Sequence, residues 1–134
     1  DTLRDRGDGY ENIRLAAIDA PELGQTCGEP RALWRCGTEA AAFLASILDP
    51  DGVEGGDTVV HCVLAPKPDR YGRALGTCYA HGINLNELLV REGLAVPYLS
   101  DRYLAAADDA RTRRVGLWSG PFVAPADWRR AAAE

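Results

Sequence analysis

The segment IRLAAIDAPE, residues 13–22, most constrains how this 134-residue chain can fold. Its small and β-branched apolar residues predict a buried strand. Yet Arg14 stands near its start, and Asp19 and Glu22 stand at its end. An unpaired charge inside a protein costs several kcal/mol or shifts its pKa until it is neutral. The charged residues in this segment therefore need partners or a function.

Alternation along a strand places Arg14, Ala16 and Ile18 on one face and Asp19 on the other. The two charged side chains can converge only if the strand bends or bulges, as barrel strands often do near active sites. Periodicity alone leaves this question open.

The rest of the chain supplies the elements of one small domain over residues 1–134, the prior for this length. Turn clusters stand at 5–9 and 51–57. Hydrophobic periodicity and turn signals predict a hairpin within 1–22, a loop at 23–36 and a helix at 38–48. Strands follow at 58–65 and 74–80, joined by a loop at 66–73. The last predicted elements are a helix capped by Asn84, a helix at about 101–115 and a surface tail at 119–134. This order fits an α+β fold, mainly a β barrel of the OB type with appended helices.

Composition excludes some classes of function. The formal net charge of −5 argues against a broad basic surface for nucleic acid, although it permits one or two phosphates at a local site. The chain contains no run of about 20 apolar residues, so no membrane-spanning segment is expected. It begins at Asp1 without an initiator Met, so a removed leader remains an open alternative.

The four cysteines form no CxxC pair, which makes a zinc ribbon improbable. An even number in a small chain favours two disulfides and an oxidising compartment, hence a secreted or periplasmic protein. Four reduced thiols in a cytosolic protein are the alternative. Of the three connectivities, we expect Cys27–Cys36, which would staple the loop after Glu22, and Cys62–Cys78, which would link two strands.

Four stretches together resemble the staphylococcal nuclease family: IRLAAIDAPE, DRYGR (69–73), NLNELLVREGLA (84–95) and ARTRRVGLW (110–118). They occur in the family's order with similar spacing, and the resemblance covers roughly residues 1–118. It implies a five-stranded OB-type barrel with three helices. It also implies calcium-dependent hydrolysis of DNA and RNA, giving 5′-hydroxyl and 3′-phosphate products. Nothing in the sequence demands more than a monomer.

The resemblance implies that Arg14 and Arg73 are the catalytic arginines and that Glu22 is the proposed general base. This agrees with the chemistry, because phosphodiester hydrolysis builds negative charge on the non-bridging oxygens, which positioned arginines stabilise. A carboxylate such as Glu22 can accept a proton from the attacking water. Taken singly, Arg14 and Glu22 could be an ion pair on a barrel rim, and Arg73 a solvated loop charge.

The resemblance further implies a calcium site formed by Asp1, Asp19 and the backbone carbonyl of Ala20, since a hard cation prefers oxygen ligands. The family supplies one aspartate from an Asp-Gly-Asp-Thr sequence, of which only Asp1-Thr2 is present here. The cage is therefore sparse, and modest affinity is expected.

Arg70, Tyr71 and Tyr98 match family positions near the bound nucleotide, although tyrosines on a barrel more often serve packing. The alternative to an enzyme is a non-catalytic module of the OB type that binds nucleic acid or protein. Such modules lose the set of arginines and carboxylates that this chain retains.

Overall fold

A computed structural model describes residues 12–50 and 58–133 of the chain, together with the backbone of residues 2–4. The predicted turns at 5–9 and 51–57 lie outside these residues. The strands are β1 Thr2–Arg4, β2 Asn12–Leu15, β3 Ile18–Asp19, β4 Val60–Leu64, β5 Ala74–Ala80, β6 Ile83–Asn84 and β7 Val96–Pro97. The α-helices are α1 Cys36–Leu48, α2 Leu85–Arg91, α3 Leu104–Arg113 and α4 Pro125–Ala132, and a 3-10 helix covers Gly116–Ser119.

The strands form a larger mixed sheet and a small second sheet. The larger sheet has the order β1-β2-β5-β4, with β6 also paired to β5, and β2 runs parallel to β5. Strands β3 and β7 form the antiparallel second sheet. The α+β class is confirmed, but the pairings among the described strands do not close a five-stranded barrel.

The helices follow the sequence prediction, with one addition. Helix α2 begins at the predicted cap, where the Asn84 side chain accepts a hydrogen bond from the Glu87 amide at 3.0 Å. The addition is α4, which lies in the tail predicted for 119–134. It starts with Pro125 at its first position, where a missing amide costs nothing. Of the described helices, none has the length and apolar character needed to cross a bilayer.

The core lies between the larger sheet and the helices. Leu15 of β2 and Ile18 of β3 are fully buried in the same cluster as Leu85 and Leu89 of α2. Helix α1 adds the apolar face that its periodicity predicts, which consists of Ala40, Phe43, Leu44 and Ile47.

Both expected disulfides are present. Cys62 and Cys78 stand directly opposite each other on β4 and β5, and their Cα atoms are 4.1 Å apart. Cys27–Cys36 closes the loop that leads from Glu22 to α1. The backbone of this loop is pinned further by paired hydrogen bonds between Cys27 and Trp34, each 2.9 Å long.

The strand formed by residues 13–19 bends in its middle, which answers the question raised by its charges. Strand β2 ends at Leu15 and β3 begins at Ile18, and a turn at Ala16 and Ala17 separates them. Ala17 has φ of 66°, in the left-handed region that non-glycine residues seldom occupy. The turn interrupts the alternation, so residues before and after it can face the same way.

Asn86 of α2 holds this bend in place. It is 0% exposed. Its side-chain amide donates to the Ala16 carbonyl at 2.9 Å and to the Gly76 carbonyl at 3.0 Å. Its side-chain oxygen accepts from the Cys78 amide at 3.1 Å. One buried side chain therefore ties the bend to β5 and to α2.

We expect Asn86→Ala to lower the free energy of unfolding by about 2–4 kcal/mol, because it leaves buried backbone groups without partners. Urea unfolding monitored by circular dichroism measures this. The matched control is Asn12→Ala at the exposed first residue of β2, with a change within about 0.5 kcal/mol. Equal stabilities of the two variants would contradict the role of Asn86 as the clamp of the bend.

Candidate active site

The bend brings Arg14 and Asp19 together. Arg14 Nη2 lies 3.5 Å from Asp19 Oδ1, and Nη1 donates to the Ile18 carbonyl at 3.4 Å. Both residues are buried, Arg14 at 8% exposure and Asp19 at 1%. The Arg14 guanidinium also lies over the ring of Tyr98, 5.5 Å from its centroid. Tyr98 is held there because its amide donates to the Ala17 carbonyl at 2.9 Å.

Glu22 follows β3 on a loop whose backbone is fixed from two sides. Its amide donates to the Gln25 side chain at 3.1 Å, and its carbonyl accepts from the Gln25 amide at 2.8 Å. Helix α1 approaches so closely that a Cβ atom on Gly37 would overlap the Glu22 carbonyl oxygen. The Glu22 side chain remains 40% exposed, so it has access to solvent and to ligands.

Arg129 of α4 completes the cluster, and the sequence prediction missed it. Its guanidinium forms a fork with Asp19, with 2.9 Å from Nη1 to Oδ1 and 2.9 Å from Nη2 to Oδ2. Nη1 also donates to Glu22 Oε1 at 2.7 Å. The hydrogen bond to Asp19 is the main reason that the pKa of Arg129 is raised; desolvation opposes the rise and Glu22 adds to it.

The segment before α4 is anchored to the loop that carries Glu22. The Gln25 side chain donates to the Val123 carbonyl at 2.7 Å, and the Gly28 amide donates to the Pro121 carbonyl at 2.8 Å. Pro125 is buried at the start of α4. Arg129 stands four residues later, on the same face of the helix. That spacing is the one sequence signal that could have directed attention to Arg129.

Arg73 lies in a second cluster, at the end of the loop that leads into the neighbouring strand β5. The residue after it, Ala74, begins β5 opposite Ile13, and Arg14 is opposite Leu75, so Arg73 stands two residues before the register partner of Arg14. Arg73 Nε donates to Asp69 Oδ2 at 2.7 Å. Within the described part of the chain, Arg73 forms no ion pair with Asp19 or Glu22.

Asp69 organises the loop before β5. Desolvation raises the pKa of its carboxyl, but hydrogen bonds from the backbone and side chain of Arg73 outweigh this and leave the pKa below its ordinary value. Tyr71 is 70% exposed on the same loop. The guanidinium groups of Arg70 and Arg73 lie 5.0 and 5.5 Å from its ring centroid. The structure thus groups Arg70, Tyr71 and Arg73 at one place, and Arg14, Asp19, Glu22 and Tyr98 at another.

The donor set of the first cluster fits a hard cation. Oxygens from Asp19 and Glu22 converge on a single nitrogen, Arg129 Nη1, at 2.9 and 2.7 Å. Calcium takes carboxylate oxygens at about 2.3–2.6 Å, so two oxygens that meet at one point suit it. Ala20, whose carbonyl was expected as a ligand, follows Asp19 directly. Asp1 lies outside the described residues, among which no group of three or more acidic, histidine or cysteine side chains could hold a metal.

Comparisons with known proteins place the chain in a family. Residues 12–120 match the family described as staphylococcal nuclease homologue. In an alignment 139 positions long, the chain is 34% identical to the micrococcal nuclease of Shigella flexneri. The alignment covers 90% of the chain and 68% of that protein. The chain is 37% identical over 123 residues to an uncharacterized endonuclease of Escherichia coli O157:H7, covering 87% and 69%. The chain therefore belongs to the family of staphylococcal nuclease homologues.

The chain is also similar to a protein that is not named as a nuclease. The chain is 35% identical over 113 residues to the succinoglycan biosynthesis protein ExoI of Rhizobium meliloti (strain 1021). That alignment covers 81% of the chain and 56% of ExoI. The chain thus spans little more than half of one such relative and about two thirds of the two nuclease-named ones.

We expect Gly37→Ala to displace the Glu22 backbone and to lower the free energy of unfolding by about 1–3 kcal/mol, the usual cost of overpacking. Gly24→Ala is the matched control, because a Cβ atom there meets nothing within 4 Å. Urea unfolding of both variants measures the difference. Equal stability would show that α1 can withdraw from Glu22 without cost.

Proposed function

We propose that this protein is a calcium-dependent nuclease that hydrolyses phosphodiester bonds of DNA and RNA. The observation that carries the proposal is the convergence of Arg14, Asp19 and Glu22 beside a bend that is held by a buried asparagine. The nuclease-named relatives support the same reaction class.

The two arginines act on the phosphate. Arg14 is buried, and its position is fixed by the Ile18 carbonyl and the Tyr98 ring, so its charge is preorganised. Arg73 reaches the phosphate from the loop before the adjacent strand after it exchanges Asp69 for a phosphate oxygen. Charges aimed at the non-bridging oxygens stabilise the transition state more than the ground state.

Glu22 handles the proton of the attacking water. Its carboxylate is partly exposed while its backbone is fixed, so it accepts the proton directly or through a water network. The water oxygen bonds to phosphorus, the bond from phosphorus to the 5′ oxygen breaks, and that oxygen takes up a proton from solvent and leaves as a hydroxyl. The products are a 3′-phosphate and a 5′-hydroxyl.

Asp19 and the carbonyl of Ala20 are the described groups that would hold the calcium ion directly, Glu22 would hold it through a water, and we propose Asp1 as a further ligand. When bound, calcium supplies positive charge beside the phosphate and an ordered site for water. Asp19 is the central ligand, because it is buried and the bend fixes its position.

The remaining predicted residues contact the substrate beside the reacting phosphate. Tyr71 is exposed between two guanidinium groups, a suitable surface for a base or a sugar, and Arg70 adds a phosphate contact. Tyr98 stacks on Arg14 and orients it towards the phosphate.

The proposed setting is an oxidising one. Both disulfides join segments that position the site, namely the loop after Glu22 and the strand that follows Arg73. We propose a secreted or periplasmic protein that acts as a monomer, with residues 1–134 forming one domain.

We expect Arg14→Ala, Glu22→Ala and Arg73→Ala each to lower turnover on plasmid DNA at least about 100-fold, because each removes a positioned charge. Arg111→Ala is the control: this exposed arginine pairs with Asp108 at the surface, and its turnover should equal that of the unchanged protein. Assays with calcium and with chelator test the cation requirement, and circular dichroism checks the fold.

Near-normal turnover in all three variants would contradict the proposed site. Binding of DNA without any cleavage would instead identify a non-catalytic binding module.

A further inference from the structure

We propose that Arg129 is a built-in competitor of the divalent cation, a positioning residue that holds the two carboxylates until a cation displaces it. The identity of the cation rests on the proposed function. The competition itself rests on the geometry, because the Arg129 guanidinium lies where the carboxylate oxygens of Asp19 and Glu22 converge.

Arg129 and the cation cannot bind the two carboxylates at the same time, because both need the same position. One nitrogen of Arg129 lies 2.9 Å from Asp19 and 2.7 Å from Glu22. A cation that bridged the same oxygens would have to occupy the place of that nitrogen. The guanidinium contacts both oxygens of Asp19, so a cation cannot bind this side of the carboxylate while Arg129 is in place.

Charge leads to the same conclusion. Among the described residues of the cluster, Arg14 and Arg129 balance Asp19 and Glu22. A divalent cation in place of Arg129 makes the cluster more positive by one unit of charge, which suits a phosphate. A divalent cation beside Arg129 would place like charges a few ångströms apart in a partly buried site, where repulsion is strong.

The arrangement of α4 favours release of the side chain over release of the helix. The anchors of the tail, Gln25 with Val123 and Gly28 with Pro121, do not involve Arg129. The Arg129 side chain is 38% exposed, so it can turn into solvent while Pro125 stays buried. Its departure also frees Glu22 to accept a proton.

The test is calcium binding by isothermal titration calorimetry, with the whole chain and no substrate. We expect Arg129→Gln to bind calcium at least about tenfold more tightly, because charge-assisted hydrogen bonds no longer have to be broken. Arg130→Gln is the matched control, since this neighbouring arginine is exposed and pairs with Asp127 rather than with Asp19 or Glu22 among the described residues. Its affinity should stay within about twofold of the unchanged protein, a limit worth less than 1 kcal/mol.

Arg129→Lys keeps the charge and loses the fork, so it serves if the glutamine variant does not fold. Its calcium affinity should lie between that of the unchanged protein and that of Arg129→Gln. If Arg129→Gln does not fold, the affinity of Arg129→Lys should still exceed that of the unchanged protein. Equal affinity in the Arg129 and Arg130 variants, or weaker binding in the Arg129 variants, would overturn the competition.

Plasmid cleavage by the same samples separates this proposal from the proposed function. The expected order of affinities without cleavage would support the competition and contradict the nuclease. Cleavage of the plasmid with equal calcium affinities in all variants would support the nuclease and contradict the competition.

Discussion

The burial of one carboxylate, Asp19, organises this molecule around its site. A carboxylate at 1% exposure is unstable unless partners replace the water that it has lost. Arg14 reaches it across a bend in the same strand, and Arg129 reaches it from a helix near the end of the chain. The bend, the loop after Glu22 and the C-terminal tail must therefore all be in place before this charge is compensated.

The bend in turn depends on α2. Ala17 adopts a backbone conformation that a non-glycine residue enters at a cost of about 1 kcal/mol or more, so other interactions must hold it there. Asn86 does so from the interior by satisfying the Ala16 carbonyl together with two groups of β5. The buried polar side chain of Asn86 thus supports the site by holding the bend that carries it.

Local signals in the sequence predicted much of this structure. Strand β5, the Asn84 cap and the apolar face of α1 were predicted because each depends on neighbouring residues, and the even number of cysteines predicted two disulfides without determining their pairing. The sequence raised the need for a bend but did not locate it, since its clamp is 70 residues away. Arg129 was missed because a short polar helix has the same sequence pattern as a helix exposed to solvent on all sides. It was also missed because its partners lie more than 100 residues earlier in the chain.

The position of α4 has an evolutionary consequence. The match to the family ends at residue 120, whereas the arginine that contacts both carboxylates is residue 129. The shared scaffold and the appendage that reaches into its site are thus separate stretches of the gene. A substitution at Arg129 therefore changes the surroundings of Asp19 without altering any residue of the segment that matches the family.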